Sequence, residues 1–219
     1  ATQATAAEQP KIVNAGSLIT MNGKPAFQFT SPSSSPNFHL FNMTSEISGI
    51  SDFSTFFVSE VTDVSGRGII IAKDGQNYIR MRDEDFQFEA SNIDSGAIAF
   101  NSTLTDGEQF SLAFIRASNT LTAYVKGAAQ SNTVSISDNF AVNRLFGNNQ
   151  NSRTWINKAQ ELIFYTDDQS DNRTAIEANI GEAYSIDLPS GVDPLNNEVD
   201  GFVETWYDQS GSVPPNDAI

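Results

Sequence analysis

The sequence predicts an all-β antiparallel sandwich, on three observations. Apolar and polar residues alternate with a period of two through much of residues 52–137. Short runs of this kind recur at roughly 8–12-residue spacing. Polar turn dipeptides separate them.

Residues 52–62 show the pattern best. Phe53, Thr55, Phe57, Ser59 and Val61 share one face, and Ser54, Phe56, Val58 and Glu60 share the other. With apolar side chains on both, the strand is expected to be buried on both sides. Comparable runs follow at 68–72, 77–82, 86–90, 97–101, 109–116, 120–126 and 133–137. The turn signals are Ser65-Gly66, Asp74-Gly75, Ser95-Gly96, Asp106-Gly107 and Ser118-Asn119. Residues 159–165 (AQELIFY) form a further strand. The period then changes: Ile176, Ile180 and Tyr184 lie four apart on one face, which predicts one short helix near residues 171–183. Ser170 or Asp171 is expected to cap its start, and Gly181 to weaken its far end. Residues 187–200 (DLPSGVDPLNNEVD) hold two prolines and no period, so they read as a linker. Residues 199–207 (VDGFVETWY) read as a last strand, stopped by Val213-Pro214-Pro215. The expected organisation is a sandwich core over 1–186, a linker over 187–200, and a C-terminal strand within 201–219.

Composition narrows the function. Sixteen Phe and 39% hydrophobic residues are ample for a packed core, which excludes disorder. No run approaches the roughly 20 apolar residues that cross a bilayer, so membrane insertion is not expected. Twelve basic residues against 27 acidic give a net charge of −15, a field that repels phosphate backbones and argues against nucleic acid. With no Cys and a single His, disulfides, thiol nucleophiles and cysteine-rich zinc sites are excluded. Any Ser-His-Asp triad would have to use His39, which sits in a short apolar run and reads as structural. Asn, Ser and Thr supply 61 residues while charged residues are only 18%, a polar acidic surface that suits an extracellular, cell-surface or virion protein. The chain begins at Ala1 without an initiator Met or signal segment, and reads as a processed chain, an internal fragment or one unit of a longer protein.

Several motifs fall at the two ends of the chain: ATQAT at residues 1–5, QPKIV at 9–13, NGKPA at 22–26 and WYDQSG at 206–211. Together with ELIFYTDDQSDNRTAIEANIGEAYSI at 161–186, they resemble the laminin G-like, concanavalin A-like domains of bacterial surface proteins and phage structural proteins. The resemblance implies an antiparallel jelly-roll sandwich. It also implies an order in which WYDQSG directly precedes ATQAT and QPKIV, whereas here it comes last. Three explanations stand: a permuted sandwich whose termini meet, one unit of a tandem array, or a C-terminal strand that completes the next subunit. In the third, Phe202, Val203, Trp206 and Tyr207 would form the assembly contact and the partner would be the chain itself.

Candidate chemistry is sparse. Trp155, with Asn148, Asn149, Gln150 and Asn151 before it, offers an aromatic and amides for a surface glycan; the alternative is a core Trp beside a solvated loop. Asp167, Asp168 and Asp171 offer oxygens of the kind calcium takes, but they lack helix–loop–helix spacing, and carboxylates at a helix start are favourable without an ion. No other cofactor is expected. Arg80 and Arg82 share a strand face and could clamp a carboxylate or make exposed salt bridges. Tyr207-Asp208-Gln209-Ser210-Gly211 reads as a strand followed by an Asx turn. A second resemblance, to concanavalin-like α-L-arabinofuranosidases, rests on YDQSG and NGK. It points to Glu84, within MRDEDFQF at 81–88, as a catalytic carboxylate. Retaining glycosidases need two carboxyls about 5–5.5 Å apart, and Glu84 has no identifiable partner. The expected function is therefore a non-catalytic structural or adhesive protein that self-assembles by strand exchange. A lectin-like module is the alternative, and a glycoside hydrolase ranks third.

Overall fold

The computed structural model describes residues 4, 9–29, 39–60, 67–73, 77–82, 85–90, 94–99, 104–105, 107–147, 155 and 157–192. Two-residue strands come first: β1 (Val13–Asn14), β2 (Ser17–Leu18), β3 (Thr20–Met21), β4 (Lys24–Pro25) and β5 (Phe27–Gln28). The longer strands are β6 (Phe41–Ile50), β7 (Phe53–Glu60), β8 (Arg67–Ala72), β9 (Tyr78–Arg82), β10 (Asp85–Ala90), β11 (Asp94–Ala99), β12 (Gln109–Ala117) and β13 (Thr120–Val125). Then come β14 (Ala128–Ala129), β15 (Val134–Ser135), β16 (Phe140–Leu145), β17 (Lys158–Tyr165) and helix α1 (Arg173–Tyr184).

Two sheets make the sandwich. One runs β11-β10-β9-β8-β16-β6, and the other runs β14-β13-β12-β7-β17-β5 with β15 against β13. Their inner faces interdigitate Phe53, Phe57, Phe110, Leu112 and Phe114 with Ile70, Ile79, Phe86, Phe88 and Phe140. The outer face of the second sheet is covered as well. There Phe56, Val58, Ala113 and Ile115 pack under Ile180 and Ile186 from the helix side and under Ile19, Met21 and Ala26 from the β3–β4 hairpin. Strand β7 thus lies between two apolar layers, as its sequence predicts.

Two-residue turns close the hairpins. Asn22-Gly23, Ser118-Asn119 and Lys126-Gly127 each place both central residues at positive φ, the twist a tight hairpin needs. The NG of the NGKPA motif therefore makes a turn. Ser95-Gly96, expected as a turn, instead lies inside β11, paired with Glu89 and Phe88. Its glycine serves close approach: a Cβ at Gly96 would meet Val134 Cγ1 at 2.2 Å. The other turn signals lie wholly or partly outside the described residues.

The helix starts slightly later than expected. Its N-cap is Asn172, with no side-chain capping bond, while Ser170 and Asp171 precede it. Asp168 instead accepts bonds from the Ser170 backbone N–H at 2.9 Å and hydroxyl at 2.5 Å, and the Ser54 hydroxyl accepts from Gln169 N–H at 2.8 Å. These bonds fasten the turn to β7. Gly181 is no weak end, because a Cβ there would meet Leu188 Cδ1 at 2.7 Å. Leu188 packs on the helix layer and Val192 is buried, so the first part of the expected linker is seated on the sandwich.

Candidate functional site

The most distinctive surface is the mouth between the two sheets. β6 ends the first sheet, and β5 covers β17 only at Lys158 and Ala159. Among the described residues, no strand pairs with the mouth side of β17 from residue 161 to 165. The side chains along these two edges are apolar and half-buried: Phe41, Met43, Ile47 and Leu145 on one side, Leu162 and Phe164 on the other. A groove of about 200 Å³ opens here, lined by Phe27, Phe41, Leu145, Phe146, Ala159, Gln160, Glu161 and Leu162.

The groove wall is built from aromatic pairs and an unusual backbone. Phe27 meets Phe41 edge-on at 5.7 Å, and Phe29 meets Phe146 at 4.6 Å. Phe146 itself has φ +65, a costly conformation for a bulky residue. It is held by Phe146 N–H to Ile70 O and Trp155 N–H to Phe146 O, both 2.8 Å. The register of β17 shifts between Ala159 and Glu161, a bulge at Gln160. The Gln160 amide then donates to Met21 O at 2.9 Å, tying the β3–β4 hairpin to the sheet. Beside the mouth, Phe27 is 36% exposed and Leu18 51%, with Ile12 and Val13 similarly open, forming an apolar surface next to an unpaired edge.

Trp155 is a correction. It is 0% exposed, meets Phe57 edge-on at 5.1 Å, and donates its indole N–H to Ser59 Oγ at 3.0 Å. Inward-facing residues of both sheets enclose it, so it presents no ring face to a sugar. Asn148, Asn149, Gln150 and Asn151 lie outside the described residues, as do Glu84, Phe202, Val203, Trp206 and Tyr207. Asp167, Asp168 and Asp171 are exposed, and among the described residues no three His, Asp or Glu gather so as to hold a metal. His39 is buried.

Arg80 is buried rather than surface-exposed. Its Nε and Nη2 donate to Gln87 Oε1 at 2.9 and 2.7 Å, and its guanidinium lies 4.5 Å from the Tyr78 ring centre. The Tyr78 hydroxyl donates to Glu89. This row on β9 and β10 holds the half-buried Gln87 and Glu89 in fixed positions. The Arg82 side chain lies outside the described residues.

The sequence gave no sign of a charged group inside the helix layer. Glu177 is 1% exposed, and burial pushes its carboxyl up to about 7 even though Arg173, one turn earlier, pulls it down. Arg173 stacks 3.9 Å over the Tyr124 ring. Burial, and then Glu161 beside it, push the Tyr184 hydroxyl up. The Glu177 carboxyl faces an arginine, an arrangement unlike the paired carboxyls of a glycosidase.

No protein-family model matches the chain, and no curated protein matches it in sequence. Its solved structural neighbours include the native heptameric SAP-like pentraxin from Limulus polyphemus, with a TM-score of 0.54 and 9% identity, covering 67% of this chain and 77% of that one. They also include domains LG4-5 of the mouse laminin alpha1 chain, with a TM-score of 0.50 and 12% identity. The fold is a concanavalin A-like jelly-roll sandwich. The laminin match covers 76% of this chain and 48% of the laminin fragment. At this identity the likeness establishes fold alone. In this concanavalin A-like chain, no helix among the described residues is long and apolar enough to cross a membrane.

Proposed function

We propose that this chain is a non-catalytic structural or adhesive module of an extracellular, cell or virion surface, and that its working surface is the open mouth, an acceptor for an extended β-strand. One observation carries the reading: a strand edge unpaired among the described residues, 161–165, borders a groove of half-buried apolar side chains. An added strand would satisfy backbone groups along the edge and fill the groove at once, the two parts of recognition by strand addition. Head-to-tail assembly by strand exchange is the intermolecular form of the same reading. The test is Leu162→Lys in the full chain. It places a charge in the groove, and binding or closure of the mouth should be lost while circular dichroism stays that of the sandwich. Retained closure would sink the proposal.

A second reading, glycan binding, is favoured by the row on β9 and β10. There buried Arg80 and Tyr78 hold the Gln87 amide and the Glu89 carboxylate ready to bond hydroxyls. Binding on a glycan array, lost on Gln87→Ala and Glu89→Ala, would support it. A silent array would dismiss it.

A further inference from the structure

We infer that the occupant of the mouth is residues 202–207 (FVETWY) of the same chain, which add to the 161–165 edge of β17 and close the sandwich. The inference rests on the proposed strand-accepting mouth and names what fills it. Three observations carry it.

The first is fit. The open edge is five residues long and the segment six. Alternation puts Phe202 and Trp206 on one face and Val203 and Tyr207 on the other. Either face turned inward brings two large apolar side chains against Leu162, Phe164, Phe41 and Met43, whose half-burial is the deficit to be filled.

The second is reach. The described chain ends at Val192, which sits against the turn at Gly127. The backbone of that turn donates from Lys126 to Ser111 O at 2.8 Å; Ser111 pairs with Val58, and Val58 with Glu161. The chain is therefore delivered at the level where the open edge begins. From β13 across β12, β7 and β17 to a new strand is four spacings, about 19 Å, and the layer above the sheet adds about 10 Å. Residues 193–201 extend to about 30 Å.

The third is competition. A tether of this length holds the segment near its own seat at an effective concentration of about millimolar, which a second copy in dilute solution does not match. Closure within one chain would also bring the WYDQSG stretch back beside the N-terminal strands, the neighbourhood its split motif implies.

The experiment is hydrogen exchange on the intact chain at low and high protein concentration, with native mass measured in parallel. The expected result is protection of residues 202–207 and of the mouth-side amides of 161–165, equal at both concentrations, in a particle of one 23.8 kDa chain. Full-length Phe202→Ser/Trp206→Ser should lose both protections while β7 and β12 keep theirs. Protection that grows with concentration, together with a larger mass, would overturn the inference in favour of a donor copy yet leave the strand-accepting mouth standing. Mouth-side amides that exchange freely at every concentration would overturn both. Protection of 161–165 that survives the double substitution would assign the seat to another segment.

Discussion

Trp155→Ala separates a core tryptophan from a sugar-binding one. The side chain is fully buried, so truncation removes its transfer free energy and leaves a cavity between the sheets. Trp-to-Ala changes in cores cost about 3–5 kcal/mol. The edge-on contact with Phe57 adds its share, about 0.5–1.5 kcal/mol, within that range. The Ser59 hydroxyl loses a donor but keeps its own bond to Lys158 O at 2.5 Å, so no orphan is created there. About 4 kcal/mol is a large part of the 5–15 kcal/mol that holds a domain folded. With a urea slope of about 2–3 kcal/mol per molar, the midpoint should fall by about 1.5–2 M. The assay is equilibrium urea unfolding followed by far-UV circular dichroism, which does not depend on the deleted indole. Ser59→Ala gives an internal control: it strands the buried indole N–H and should cost about 1–3 kcal/mol. A Trp155→Ala midpoint within about 0.5 M of the parent would refute the reasoning and put the ring back on the surface.

Other predictions follow from the same geometry. Glu177 is neutral-favoured in the fold, with its pKa raised from 4.5 to about 7. The stability this contributes is whole below 4.5 and is lost as pH rises through about 7, an effect on the order of 3 kcal/mol. Glu177→Gln should flatten that part of the stability–pH profile measured by thermal melts, and a slope identical to the parent's would show that the group does not titrate as described. Gly96→Ala should destabilise by about 1–3 kcal/mol through overlap with Val134, and Val134→Ala should relieve it; additive costs in the double-mutant cycle would disprove the contact. Gly68→Ala should likewise cost about 1–3 kcal/mol in urea unfolding, because its Cβ would meet Trp155 Cε3 at 2.7 Å; a neutral result would mean the ring shifts freely.

Much of the sandwich was legible because alternation is a local code. β7, β8, β12 and β13 announce themselves in a few residues each, and the i, i+4 spacing of Ile176, Ile180 and Tyr184 announces the helix. β6 was missed because FNMTSEISGI is an edge strand, mostly exposed, with no apolar face to betray it. β16 was missed because it follows a short polar stretch with no turn glycine. Ser95-Gly96 misled because a glycine that admits Val134 looks, in sequence, like a glycine that turns the chain. Of the candidate site, the sequence named the apolar C-terminal segment but not the groove.

Sequence by itself determined the fold class, the helix, the two-sided burial of β7 and the lack of cysteine and nucleic-acid chemistry, since each depends on composition or on neighbours within a few residues. Tertiary structure alone decided that Trp155 is core, that Glu177 is buried beside Arg173, and that β6 and β17 leave a mouth between them. Those outcomes depend on which strands of two sheets come to lie opposite one another. Residues such as Ser59 and Trp155, or Phe41 and Leu162, lie about a hundred positions apart in sequence, beyond any local period, and only sheet pairing brings them into contact.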